Sequence, residues 1–72
     1  MKEIEKLRAL IPHWIEHNKE HADEFMRWAE QAGEATVDLL AAVAAMTKVN
    51  DALSTAVEKL GGPIHLDHFR HD

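Results

Sequence analysis

Cysteine and tyrosine are absent from this 72-residue chain, and proline, glycine, phenylalanine and tryptophan are scarce, with two or three of each. Without cysteine, the chain can form no disulfide, no thiolate metal site and no cysteine nucleophile. A chain this short buries only about 60% of the surface that its unfolded form exposes, so its core needs support. The remaining sources of support are self-association and metal binding through histidine and carboxylate.

Positive charge is also in short supply. The chain has 8 Lys and Arg against 13 Asp and Glu, and its net charge is −5. We therefore expect neither nucleic acid nor an anionic membrane as its main partner. The most apolar run, Val37 to Met46, is about ten residues long and contains Asp38, too short to span a bilayer. The N-terminus lacks the apolar core of a signal peptide, so we expect a cytoplasmic location.

The first helical segment runs from about Lys2 to Ala32. It contains Pro12, which removes one helical hydrogen bond and predicts a kink or a break near Leu10 and Ile11. Gly33 is expected to cap its C-terminal end. Its apolar positions recur at helical spacing at Trp14, Ile15, Ala22, Phe25, Met26 and Ala29.

The second helical segment runs from about Glu34 or Ala35 to Leu60. Gly61, Gly62 and Pro63 then predict a stop, because glycine favours a left-handed cap and proline cannot continue the helix. The apolar face of this segment repeats at spacings of three and four, at Leu39, Val43, Met46, Val49, Leu53, Val57 and Leu60.

The short connection at Gly33 predicts that the two helices lie antiparallel. The expected fold is all-α, an antiparallel helical hairpin over residues 1–63 with its first helix kinked or broken near Pro12. One hairpin leaves half of each apolar stripe in water, so we expect a homodimer that forms a four-helix bundle. The side chains expected in the core or interface are Trp14, Asn18, Phe25, Trp28, Leu39, Val43, Met46, Val49 and Leu53.

Asn18 falls on the apolar side of the first helix, beside the aromatic residues. A buried amide needs hydrogen-bond partners there, and it can fix the register of paired helices. Asn50, at the border of the second apolar face, is a candidate partner.

Histidine is abundant, with six in the chain. His13, His17 and His21 follow one another every fourth residue, and Glu20 and Glu24 share their stripe. Two imidazoles four residues apart on a helix can chelate one divalent ion. His13 and His21 are about 12 Å apart along the axis, so one ion cannot take all three. The expected site is His17 with His21 and either Glu20 or Glu24, and these ligands suit nickel, zinc, copper or iron.

Residues 64–72 form a separate tail that contains His65, His68 and His71. An antiparallel hairpin returns Leu60 to the end near Pro12, so His65 or His68 could complete a site with His13 or His17. The alternative is a disordered tail that binds metal loosely.

Residues 10–33, LIPHWIEHNKEHADEFMRWAEQAG, resemble a small uncharacterised helical domain of bacteria and archaea with a PHWIEHN-x-EHA-x-x-F-x-x-WA motif. Similar segments stand alone or are appended to a small nickel-binding barrel, similar to the accessory protein that helps nickel reach carbon monoxide dehydrogenase. The resemblance implies nickel or another late transition metal, and a metallochaperone or metalloenzyme as partner. It emphasises Pro12, His13, Trp14, His17, Asn18, His21, Phe25 and Trp28. This chain lacks the barrel, and the resemblance covers about a third of it.

Two functions follow from these patterns. The first is binding of nickel, zinc or copper by the His/Glu stripe, in metal handling or sensing. The alternative is a dimerisation or protein-interaction module without metal. We expect no enzyme, because no base–nucleophile pair is visible and the segment from His17 to His21 has Asn18 where HExxH metalloproteases have glutamate.

Overall fold

Two antiparallel helices make up the chain over residues 2–65, which a computed structural model describes. Helix α1 spans Lys2–Ala29 and helix α2 spans Thr36–Lys59, with one turn of 3-10 helix, Gly33–Ala35, between them. Helix α1 thus ends three residues before the expected Ala32. Residues 2–65 contain no strand, so the all-α helical hairpin is confirmed. The predictions on His68 and His71 lie outside the described residues.

Helix α1 runs unbroken through Pro12, so of the kink or break expected near this residue, the break is wrong. Proline has no N–H, and the carbonyl of Arg8, four residues earlier, therefore lacks its helical donor. The backbone N–H of Ile64 donates to this carbonyl instead, at an N···O distance of 3.1 Å. The chain that follows α2 thus satisfies the acceptor that the proline leaves open.

The side chain of Arg8 binds the same segment. Its Nε donates to the carbonyl of Gly62 at 2.7 Å, and its Nη2 donates to the carbonyl of Gly61 at 2.9 Å. A β-carbon on Gly61 would lie 3.2 Å from Cζ of Arg8, so this approach requires glycine. Arg8 therefore links the first part of α1 to the segment that follows α2.

Helix α2 ends in the way that the glycine pair predicts. Gly61 and Gly62 have φ angles of 118° and 95°. The N–H of Gly62 donates to Val57 O at 2.8 Å, and the N–H of Gly61 donates to Glu58 O at 3.1 Å. These two bonds define a Schellman motif, which satisfies carbonyls that the helix end would otherwise leave without donors.

The helices meet along a seam whose residues are all buried or half-buried. Their spacing alternates between three and four, as in the heptads of coiled coils. On α1 the seam consists of Ile11, Ile15, Asn18, Ala22, Phe25 and Ala29, and on α2 of Thr36, Leu39, Val43, Met46, Asn50, Leu53 and Val57. Val49, expected on this face, is instead 46% exposed, and Asn50 occupies the seam.

The hairpin is one layer thick. Its dimensions are 48 × 24 × 13 Å, and the smallest is close to the diameter of a single helix, about 10–12 Å. Among the described residues only Ala9, Ile11, Ala29 and Val57 are buried. Folded domains ordinarily pack two or more layers around a core, so a single hairpin leaves apolar surface uncovered. Neither helix in residues 2–65 combines the length and the apolar character needed to cross a membrane.

Candidate functional site

A second stripe of side chains lies beside the seam on each helix. At about 100° per residue, Trp14 and Trp28 of α1 and Val49 of α2 fall roughly 60–100° from the centre of their seams. Because the helices are antiparallel, these offsets bring both stripes to the same broad side of the hairpin. We call this surface the tryptophan face. It consists of Leu10, Trp14, His17, His21 and Trp28 of α1 and Ala42, Ala45, Val49, Ala52 and Ala56 of α2.

Large apolar side chains of the tryptophan face are open to solvent. Trp14 is 40% exposed, Trp28 58% and Val49 46%. None of the ten positions is Asp, Glu, Lys or Arg, but Glu24 and Asp38 fall on the same two stripes near the turn. The opposite broad face carries more charged side chains on both helices, at Arg8, Lys19, Asp23, Asp51 and Glu58. The tryptophan face is therefore the less charged of the two broad sides.

Three other exposed apolar residues lie near the turn, away from the tryptophan face. Met26 is 48% exposed, Val37 68% and Leu40 43%. Met26 was expected at a core position by its spacing, but the helical angle places it on the charged side of the seam. These residues serve below as controls for the tryptophan face.

The two halves of the tryptophan face differ in side-chain size. The α1 half carries the two indoles, and the α2 half consists of alanine apart from Val49. The hydrogen bond from Asn18 to Asn50 shows which residues of the two helices lie at the same height along the axis. By this alignment Trp14 lies at the height of Ala52 and Ala56. The face is therefore a ridge along α1 beside a shallow floor along α2. Hydrophobic periodicity does not single out this floor, because alanine is only weakly apolar. Its three-four spacing is the signal that identifies it.

The expected partnership of Asn18 and Asn50 is confirmed. The side-chain amide of Asn18 donates to Oδ1 of Asn50 at 3.0 Å, and the amide of Asn50 donates to the carbonyl of Ile15 at 3.2 Å. Both side chains are half-buried in the seam. The pair satisfies two polar groups within the interface and fixes the register of α1 on α2.

Two of the histidines are in ring contact. The ring centres of His13 and His17 are 4.6 Å apart, with an angle of 62° between the ring planes. Both side chains are half-buried. His21 is exposed and stacks on Phe25, at a centre-to-centre distance of 6.3 Å. The structure thus places His21 in an aromatic stack and joins His17 to His13.

The expected carboxylate ligands do not join this pair in a metal-binding group of the described residues. Glu20 and Glu24 are exposed, and so is His65 at the end of the described chain. Within residues 2–65, no group of three or more histidine, aspartate or glutamate side chains is placed to hold a metal ion. One hairpin therefore does not assemble the expected combination of His17 and His21 with a glutamate.

Comparison with known proteins gives one match. A family model described as a domain of unknown function (DUF8180) matches residues 7–60, about three quarters of the chain. No curated protein and no solved structure matches the chain. The match confirms the resemblance to an uncharacterised domain. It covers every residue of the tryptophan face and the His13–His17 pair.

Proposed function

We propose that this chain, which belongs to the family described as a domain of unknown function (DUF8180), is a self-associating interaction module. Its tryptophan face is covered by the same face of a second copy, which gives a four-helix bundle. The observation that carries this proposal is the exposure of Trp14, Trp28 and Val49 on one broad side of the hairpin. Contiguous exposed apolar surface of this kind marks an interaction site in soluble proteins.

A second copy suits this face better than an unrelated charged partner. A two-fold rotation can place the α1 ridge of one hairpin over the α2 floor of the other, because isologous contacts pair the same surface on both subunits. The alanines of the floor let the indoles and the backbones of the mate approach closely. Each copy carries a net charge of −5, so contact through the less charged side keeps most of the acidic side chains apart.

The test compares two identical substitutions on α2. Val49→Glu places a carboxylate on the tryptophan face, whereas Val37→Glu places one at a 68% exposed position away from it. We expect sedimentation equilibrium to give the dimer mass for the wild-type chain and for Val37→Glu, and the monomer mass for Val49→Glu. A wild-type chain that sediments as a monomer at millimolar concentration would overturn the proposal. So would a Val49→Glu chain that stays dimeric.

A further inference from the structure

The contact between His13 and His17 brings two metal-ligating side chains together on one helix. They are separated by one helical turn, so the α1 backbone fixes the distance between their β-carbons. Their ring centres are 4.6 Å apart and their planes are inclined at 62°, so the rings are not stacked face to face. Rotation of the two side chains would be needed to point one nitrogen atom of each ring at the same ion.

The separation agrees with chelation. An imidazole nitrogen binds zinc at about 2.0–2.1 Å, which places the ion roughly 3.2 Å from the ring centre. Two rings that bind one ion at angles of about 90–110° then have centres about 4.5–5.2 Å apart. The observed 4.6 Å lies within this range. We propose that His13 and His17 form a two-imidazole binding site for a divalent late transition metal ion.

The surroundings of the pair favour a cation. The chain has a net charge of −5, and the exposed Glu16 and Glu20 lie within one turn of the pair on α1. Two neutral imidazoles prefer copper, nickel and zinc, whereas magnesium and calcium prefer oxygen ligands. By the Irving–Williams order, copper binds more tightly than nickel or zinc.

Residues 2–65 bring no third histidine or carboxylate to the pair. Water or a ligand from another molecule would therefore have to fill the remaining coordination positions of a bound ion. The arrangement therefore suits uptake and release of an ion more than permanent structural binding. Both ligands belong to one helix of one chain, so the site needs no partner, although a second copy on the tryptophan face would cover His17.

The experiment is a zinc titration of the full, untagged chain, followed by NMR of the histidine ring resonances and by calorimetry. Zinc is diamagnetic, so the bound rings remain visible. We expect the resonances of His13 and His17 to shift together at one equivalent. His13→Gln and His17→Gln should each weaken binding at least about tenfold, and the matched control His21→Gln should change it by less than about twofold.

Other outcomes identify the error. Equal losses from His17→Gln and His21→Gln, with no loss from His13→Gln, would overturn the proposal in favour of the other pair. Binding that survives all three substitutions would overturn it in favour of ligands beyond residue 65. The Val49→Glu chain separates this proposal from self-association, because it should bind zinc at least as tightly as the wild-type chain even where it is monomeric and His17 is uncovered. Loss of zinc binding in Val49→Glu would overturn the single-chain site. Circular dichroism shows whether each variant remains helical, and the wild-type shifts alone decide the case for a variant that does not fold.

Discussion

The backbone N–H of Ile64 donates to the carbonyl of Arg8 at 3.1 Å, and this carbonyl is the one that Pro12 deprives of its helical donor. The guanidinium of Arg8 binds the carbonyls of Gly61 and Gly62, immediately before Ile64. Arg8 thus contacts both regions: its carbonyl is the acceptor that Pro12 leaves open, and its side chain binds Gly61 and Gly62, which are 53 and 54 positions later in the chain. This junction closes the open end of the hairpin.

Pro12→Ala should stabilise the protein while loosening this junction. Alanine restores the helical N–H, and proline in a helix interior costs about 3 kcal/mol relative to alanine. The new N–H competes with Ile64 for the carbonyl of Arg8, which offsets about 1 kcal/mol, and the freer unfolded chain offsets about 0.4–1 kcal/mol. We expect urea denaturation to show a net gain of about 1 kcal/mol and amide exchange of Ile64 to become faster. Pro63→Ala, which restores no helical bond, should give no such gain.

Arg8→Lys should weaken the junction without changing charge. A lysine ammonium cannot reproduce the planar fork that binds two carbonyls together. One of the two bonds is exposed to solvent, so we expect a loss of about 1 kcal/mol in the free energy of unfolding. The same substitution at the exposed Arg27 should cost less than about 0.5 kcal/mol. Equal losses at the two positions would show that the contacts of Arg8 contribute nothing specific.

Substitutions of the asparagine pair should not be additive. Asn50→Ala removes the partner of the Asn18 amide and the donor to Ile15, so we expect a loss of about 1–2 kcal/mol. The double substitution Asn18→Leu with Asn50→Leu should be at least as stable as wild type, because no buried amide then lacks a partner. Its amide spectrum should broaden, since the polar pair no longer fixes the register. A double-mutant cycle with zero coupling would contradict this account.

Thermal unfolding should depend on protein concentration. An associating protein is stabilised by mass action, so the Tm of the wild-type chain should rise with concentration. Trp28→Ala removes an indole that is 58% exposed in the single hairpin, and it should abolish most of this rise. Met26→Ala, at a position that is 48% exposed on the charged side, should leave it intact. A Tm that is independent of concentration in the wild-type chain would contradict self-association.

Some features of the fold can be predicted from the sequence because they depend on neighbouring residues. The stop after Leu60 follows from Gly61 and Gly62, whose positive φ angles suit a Schellman motif. The antiparallel pairing follows from the short connection at Gly33. The Asn18–Asn50 bond follows from two amides on apolar faces, once the helices are antiparallel. Periodicity alone could not decide whether Val49 or Asn50 lies in the seam between the helices. The two residues are adjacent, and each continues an apolar stripe with spacings of three and four.

The candidate site shows the same division between local and distant causes. The sequence places three histidines at equal spacings, and the site expected from it is His17 with His21 and a glutamate rather than His13 with His17. The structure distinguishes them, because the ring of His21 stacks on Phe25 while the ring of His17 contacts that of His13. Spacing fixes the β-carbons, whereas the rotamers depend on what surrounds each ring.

The sequence by itself determined two helices, their ends to within three residues, their direction and the residues that could bind metal, because propensity, capping and periodicity act over a few residues. Only the tertiary structure decided that Pro12 does not break α1, since the donor that satisfies the carbonyl of Arg8 comes from Ile64, far along the chain. It also decided which apolar side chains face the other helix and which remain on the tryptophan face. Both decisions depend on how α2 and the segment after it lie against α1, and no local pattern contains that information.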